Sequence, residues 1–337
     1  MDGSKSTLEV LPRGMVVALC VGLVALVAFP FSCGDFYLGL VSRMMILAIF
    51  AMSFDLLQGV TGLVSQGHAA YFALAAYALA FLMPADGGLS IWWSLPLVVA
   101  GTALLALTIG FLAIRTAGIY FIMVTLAISQ MIFYLFFDNK ALGGSDGIYI
   151  NFKPHVALFH WEMIDLDDKI TFYYVILIIM LAVFAFLRRL LWSPFGRALV
   201  GIRVNEHRMR AIGFNTFAYK LQAFVLAGAL AGLAGYLYGA QTGYVNPELI
   251  GFQMSAQVLM MVVLGGAGNF AGAIIGAFAF EFLLYVFKDL PHLGGFDLGK
   301  HWQLWMGVLI VLVVSFAQHG LLGLLARLST RRAPAHE

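Results

Sequence analysis

Long apolar runs alternate with short polar or glycine-rich breaks along nearly the whole chain, and this alternation predicts helices that cross a bilayer. The runs lie near 14–33, 36–57, 68–83, 91–114, 118–137, 170–191, 219–240, 254–265, 270–288 and 302–319. A helix rises about 1.5 Å per residue, so a run of about 20 residues spans a hydrocarbon core of roughly 30 Å. The runs at 68–83 and 254–265 are shorter, and either borrow their glycine-rich flanks or re-enter. Ten crossings are expected, an even number that leaves both termini on one side. The expected fold class is all-α: a single polytopic integral membrane permease domain over 1–337, with about ten transmembrane or re-entrant helices.

Composition agrees, at 62% hydrophobic and 11% charged residues, where soluble domains carry about 25% charged. Basic residues then orient the chain. Lys5, Arg13, Arg115, Arg188, Arg189, Arg197, Arg203, Arg208, Arg210, Lys220, Arg327, Arg331 and Arg332 fall on one side, against Lys140, Lys153, Lys169, Lys288 and Lys300 on the other, with Arg43 inside a span. The first side is expected to be cytoplasmic. That makes 1–13 and 326–337 cytoplasmic tails, 138–169 a periplasmic loop and 188–218 a cytoplasmic loop. The net charge of +2 follows from this topology and does not point to nucleic acid. The first run reads as a retained helix, not a removable signal peptide. Cys20 and Cys33 lack both a disulfide framework and a metal-ligand spacing, and read as small buried residues.

Two breaks resemble each other. Gly59 and Gly62 lead to Gly67-His68 and a helix of small residues; Gly265, Gly266 and Gly268 lead to Gly272 and a comparable helix. Paired broken segments in two halves point to an internally duplicated transporter with a central path. Ser65, Gln66, His68, Gln257, Asn269 and Glu281 are the candidates for lining it. Glu281 lies about eleven residues into its span, near mid-membrane, where a carboxylate must face protein, water or a partner. Each of these side chains could equally serve as interhelical glue. Arg43 and Asp55 sit towards the ends of the second run, from which Arg43 could snorkel. Gly228, Gly232 and Gly235 give 227–240 a face for close helix packing.

The segment 186–220 is basic, glycine-punctuated and too polar to cross a bilayer. Its stretch Val204 to Ile212 predicts one short helix with Val204, Arg208, Ala211 and Ile212 on a single face, stopped by Gly213. Such a helix on the cytoplasmic side suits a partner that moves the permease. On the other side, 138–169 carries Asp138, Asp146, Glu162, Asp165, Asp167 and Asp168, and its Gly143–Gly147 element reads as shaped backbone.

Enzyme readings fail. Gly294 to Lys300 fits G-x-x-x-x-G-K in letters only, since His301 replaces Ser/Thr and no strand precedes it. His155 and His160 lack metal-site spacing. No nucleotide site is expected, and if ATP drives transport the ATPase must be another chain.

Asp55-Leu56-Leu57-Gln58-Gly59-Val60-Thr61-Gly62 through Gly67-His68-Ala69-Ala70-Tyr71-Phe72 resembles the signature of the branched-chain amino acid ABC-transporter permeases. Gly143–Gly147, Ser193-Pro194-Phe195-Gly196-Arg197, Gly243 to Glu248 and Val262 to Asn269 extend the resemblance over about 44–320. The Gly-Gly-Ser-Asp-Gly loop and the basic C-terminus are more like a LivM-type subunit than its LivH-type partner. The resemblance implies an inner-membrane importer for leucine-, isoleucine- or valine-like substrates. A periplasmic binding protein would deliver the substrate, a second LivH-type permease subunit would complete the path and two cytoplasmic ATPases would drive it. This chain itself would bind no cofactor, ATP and Mg belonging to the partners. It also implies an ATPase-coupling role for Arg203, Asn205, Glu206, Arg208, Arg210 and Gly213. Gln58 and Gln66 depart from or vary within the family pattern and leave substrate identity open. Urea, short amides or other amino acids fit the same architecture. Two further readings are an ion-coupled secondary transporter, in which Glu281 or Asp55 would carry the coupling, and a non-transporting membrane scaffold.

Overall fold

The computed structural model describes residues 13–31, 34–83, 90–150, 156–158, 161–164, 168–289, 292–293, 296–297, 299–316 and 320–323. Both predicted tails, apart from residue 13, therefore lie outside the described residues. So do Cys33, His155, His160, Asp165, Asp167, Gly294 and Gly295. Twelve helices are described: α1 (Arg13–Ala28), α2 (Asp35–Asp55), α3 (His68–Leu82), α4 (Ile91–Ala113), α5 (Ile119–Asp138), α6 (Lys169–Trp192), α7 (Pro194–Val204), α8 (Glu206–Ala211), α9 (Thr216–Thr242), α10 (Phe252–Gly265), α11 (Phe270–Lys288) and α12 (Trp302–Phe316). Ten of them coincide with the ten apolar runs. Six segments are long and apolar enough to cross a membrane: 35–61, α4, α5, α6, α9 and α11. The α3 and α10 helices fall short, as the lengths of their runs required.

Among the described residues, two antiparallel hairpins of short strands, Val156–Leu158 with Trp161–Ile164 and His292–Leu293 with Phe296–Asp297, stand beside several short 3-10 turns and one long-range strand pair. In that pair Ile148–Tyr149 lies antiparallel to Tyr244–Val245. Gly143, Gly144 and Gly147 all take positive φ, at 93°, 55° and 72°. A Cβ on Gly147 would overlap the Val245 carbonyl, and the Tyr244 hydroxyl donates to the Asp146 carbonyl at 2.8 Å. The element is shaped, as its glycine content predicted, and it ties the start of the 138–169 segment to the turn after α9.

The core forms around α2 and α9. From Met44 to Leu57 every α2 and following residue is buried, so the second apolar run is wrapped by protein, whereas α4 and α5 show large apolar side chains outwards. The glycine face of α9 explains the close approach. A Cβ on Gly228 or Gly232 would meet Ala106 or Thr102 of α4, and one on Gly235 would overlap the Phe72 backbone of α3. Only residues without a side chain let backbones approach this far.

The chain marks the two ends of the bundle. At one end Gln241 donates to the Gly39 carbonyl at 2.7 Å, and Lys169 pairs with Asp35 at 2.7 Å. At the other lie α7, α8 and both glycine breaks. The α9 helix joins them over about 40 Å at 1.5 Å per residue.

Candidate functional site

The segment 188–218 is helical through most of its length: α6 runs on to Trp192, and α7 and α8 follow before α9 begins. Ser193 caps α7, its hydroxyl accepting from the Gly196 N–H at 3.3 Å, and Pro194 takes the first helical position. The expected single helix over Val204–Ile212 is broken. Asn205 is extended (φ −156°, ψ 97°) and its side chain accepts the Arg208 N–H at 2.9 Å, so it caps α8. Val204 consequently belongs to α7 and not to the face of Arg208 and Ile212. The predicted stop is correct: Gly213 has φ 93°, its N–H reaches the Arg210 carbonyl, and the Phe214 N–H reaches the Met209 carbonyl. That pair of bonds is a Schellman closure, which requires the left-handed glycine.

Glu206 turns inward. Its Oε1 accepts from Arg210 Nη2 at 2.6 Å and from the Thr216 hydroxyl at 2.9 Å, and its Oε2 accepts from Lys220 Nζ at 2.6 Å. Partial burial works to raise this carboxyl, but the bonds from Lys220, Thr216 and Arg210 outweigh it and hold the group at about 2 against an ordinary 4.5. Arg210 also donates from Nε to Thr216 at 2.9 Å. Glu206 and Arg210 thus clamp α8 onto the first turn of α9. The exposed residues of α8 and its flanks include Val204, His207, Arg208, Ile212, Gly213 and Phe214, an apolar patch with basic residues.

Arg203 reaches the other way. From the last turn of α7 its Nη1 donates to the Gly59 carbonyl, and its aliphatic stem lies against Gly62. At Gly59, α2 has passed into a π-turn over Leu56–Thr61, closed by Gly62 with φ 77°. The second break meets the first here: the Gly268 N–H donates to Asp55 Oδ1 at 2.7 Å, and a Cβ on Gly59 would overlap both that carboxylate oxygen and the Gly268 backbone. Asp55 is fully buried and within electrostatic reach of Arg203. It is not the peripheral residue that its position in the run suggested.

Around the breaks, Gly67 packs on the Thr125 carbonyl, and Gly265 and Gly272 pack on each other's backbone. Gly266 and Gly268 take φ of 110° and 91°. Asn269 caps α11, accepting the Ala271 N–H at 3.0 Å. His68 lies buried between Phe50, Phe54 and Tyr71. Ser53 gives its hydroxyl proton to the Phe50 carbonyl at 2.7 Å, so His68 Nε2–H donates to Ser53 at 2.9 Å. Asp55 Oδ2, Gln58 Oε1, Ser65 Oγ, Gln66 Oε1 and His68 Nδ1 are buried atoms without a hydrogen-bond partner among the described residues. Such groups are few in folded proteins.

Gln257 and Glu281 are elsewhere, at the opposite end of the bundle. Both line a polar recess with Arg43. Arg43 does not simply snorkel: its Nε lies 3.5 Å from Glu281 Oε1, and its guanidinium lies over the Tyr238 ring. The sequence-predicted pathway residues therefore fall into two groups, with Ser65, Gln66, His68 and Asn269 at the breaks and Gln257 with Glu281 at the far mouth. Sequence reasoning named Asp55 only as an alternative ion-coupling residue and Arg43 only as one that could snorkel, and it missed the Thr216–Lys220 half of the clamp. An acid four residues before a glycine inside an apolar run was the one available signal for the first of these.

The family described as "Branched-chain amino acid transport system / permease component" matches residues 36–314. The chain is 32% identical over 320 residues to the high-affinity branched-chain amino acid transport system permease protein LivM of Salmonella typhimurium, covering 89% of this chain and 73% of that protein. It is equally similar to the protein of that name in Escherichia coli K12, at 32% over 322 residues. To the permease protein LivH of Escherichia coli K12 it is 26% identical over 247 residues, covering 68% and 77% of the two chains. No solved structure matches.

Proposed function

The chain belongs to the branched-chain amino acid transport permease family, and on that footing we propose that it is the LivM-type membrane subunit of an ATP-driven importer of leucine-, isoleucine- or valine-like amino acids. In this reading it sits in the bacterial inner membrane with α7 and α8 in the cytoplasm, pairs with a LivH-type permease subunit and receives substrate from a periplasmic binding protein. Two cytoplasmic ATPases hold the ATP and Mg.

The observation that carries the coupling role is the two-sided geometry of 203–214. The exposed Val204, His207, Arg208, Ile212 and Phe214 offer an apolar and basic patch for an ATPase groove. Glu206 and Arg210 make α8 rigid with α9, and Arg203 ties α7 to the Gly59 break. Asn205 and Gly213 shape this helix and need not touch the partner. A displacement of α8 by the ATPase would thus arrive at the Asp55–Gly268 junction as a rigid-body movement, opening one end of the bundle while closing the other. Ser65, Gln66 and His68 near the junction would line the inner part of the path, and Gln257 and Glu281 the outer.

Proteoliposomes containing this chain, its partner permease, both ATPases and the binding protein test the reading. ATP-dependent uptake of radiolabelled leucine supports it. Uptake that proceeds without the ATPases and collapses with the ion gradient would overturn it in favour of an ion-coupled transporter. Urea or a short amide transported in place of leucine would keep the architecture and replace the substrate.

A further inference from the structure

Two clefts meet at Arg43 and Glu281. One, of about 620 Å³, opens between α2, α9 and α11 and includes Phe36, Leu40, Gln241 and Leu284 in its walls. The other, of about 310 Å³, lies towards α10 and the turn after α9, and includes Gln257 and Tyr244. Arg43, Thr242 and Glu281 line both. These volumes are in the range of small-molecule sites.

The charged pair is deep. Arg43 stands eight residues into α2 and Glu281 seven residues from the end of α11, about 10–12 Å below that end of the helices at 1.5 Å per residue. Glu281 is buried, whereas 46% of the Arg43 side chain remains exposed, opening on the clefts. Their separation of 3.5 Å is an ionic contact and not a hydrogen bond. It engages Nε and leaves the planar fork of the guanidinium, which matches a carboxylate in two parallel bonds. The buried Glu281 carboxylate, held by so loose a contact to a half-exposed arginine, is poorly compensated for its desolvation.

An α-amino acid carries a carboxylate and an ammonium on one carbon. Entering between the two side chains, it would keep each protein charge opposite an unlike charge while adding the hydrogen bonds that the direct pair lacks. A ligand of single charge would answer only one of the two side chains, and a neutral amide would offer each an uncharged hydrogen-bonding group in place of an opposite charge. We propose that Arg43 and Glu281 form a binding site for the zwitterionic head of an α-amino acid. Arg43 receives the carboxylate, Glu281 the ammonium, and the aliphatic side chain lies against Phe36, Leu40 and Leu284. The proposal rests on the reading of the chain as an amino-acid permease.

The test is uptake of radiolabelled leucine by the complete reconstituted importer. If the wild type takes up no leucine, the permease reading fails and with it the premise of this site. Given wild-type uptake, the paired replacement Arg43→Met with Glu281→Leu removes both charges together, so neither is left buried alone. The expected result is an assembled complex, with normal yield on gel filtration, whose uptake falls at least tenfold. Arg43→Lys, which keeps the charge but not the fork, is expected to retain uptake with a raised KM. An assembled double variant with wild-type uptake would overturn the proposal. So would a double variant that cannot assemble, since the pair would then be structural.

Discussion

The Gly268 N–H donates to Asp55 Oδ1 at 2.7 Å, joining two glycine breaks 213 residues apart in sequence. That bond, with Arg203 within electrostatic reach, accounts for a fully buried carboxylate at the foot of α2. Its removal leaves the Gly268 amide unsatisfied in the core, which costs about 1–3 kcal/mol. Asp55→Ala is therefore expected to lower the thermal unfolding midpoint of the detergent-solubilised chain. Asp55→Asn, which keeps the accepting oxygen, is expected to lower it less. Equal midpoints for both variants and the wild type would show that the junction contributes nothing.

The glycines divide into two kinds by what a methyl group would meet. At Gly59 it would overlap the Gly268 backbone and the Asp55 carboxylate bonded to it, and at Gly235 the Phe72 backbone. At Gly101 and Gly307 nothing lies within 4 Å. Gly59→Ala and Gly235→Ala are expected to abolish uptake or assembly, while Gly101→Ala and Gly307→Ala gain up to about 1 kcal/mol from helix propensity. Thermal melts and uptake of the four variants check this.

Arg203 is expected to act in coupling through Gly59 and not by touching the ATPase. In the assembled importer, Arg203→Ala should leave ATP hydrolysis running while leucine uptake falls at least tenfold. Loss of ATPase binding in a pull-down would instead place Arg203 at the subunit interface.

Ile212 and Phe214 stand exposed beside α8, and their burial in a partner would favour docking. Ile212→Asp should release the ATPase subunits on gel filtration without altering the melting of this chain alone. Retention of the ATPases would move the docking surface elsewhere.

Glu206 gives a pH dependence whose sign follows from its lowered value. A carboxyl held at about 2 against 4.5 stabilises the clamp fully above 4.5, and that contribution is lost as pH falls through about 2. Trypsin cleavage at Arg208 and Arg210 should stay slow from pH 8 down to 5. Glu206→Gln, which gives up both ion pairs, should be cut faster at pH 8. Identical cleavage of the two proteins would show that α8 does not depend on the clamp.

Much of this was legible in the residues. The apolar runs marked ten helices because a long apolar stretch, whether it crosses the bilayer or is buried among other spans, must pair its own backbone groups. Gly213 was readable as a stop because its conformation is decided within one turn. The break at Asn205 was not, since apolar spacing over Val204–Ile212 fits a continuous helix as well as two. Only the capping bond from the Arg208 amide distinguishes them. Glu206 invited assignment to a partner because its own partners, Thr216 and Lys220, lie beyond the helix in which it was read.

The sequence by itself determined the ten apolar helices, their order and the family, since hydrophobic length, turn residues and local motifs are properties of contiguous residues. Tertiary structure decided that Arg203 reaches Gly59 across 144 positions, that Asp55 holds Gly268, and that Arg43 faces Glu281. A side chain of one polar residue in an apolar run can face lipid, protein or water with the same local pattern. Which it faces depends on how closely other helices approach, and in this protein the glycines of α9 and of the two breaks set that distance.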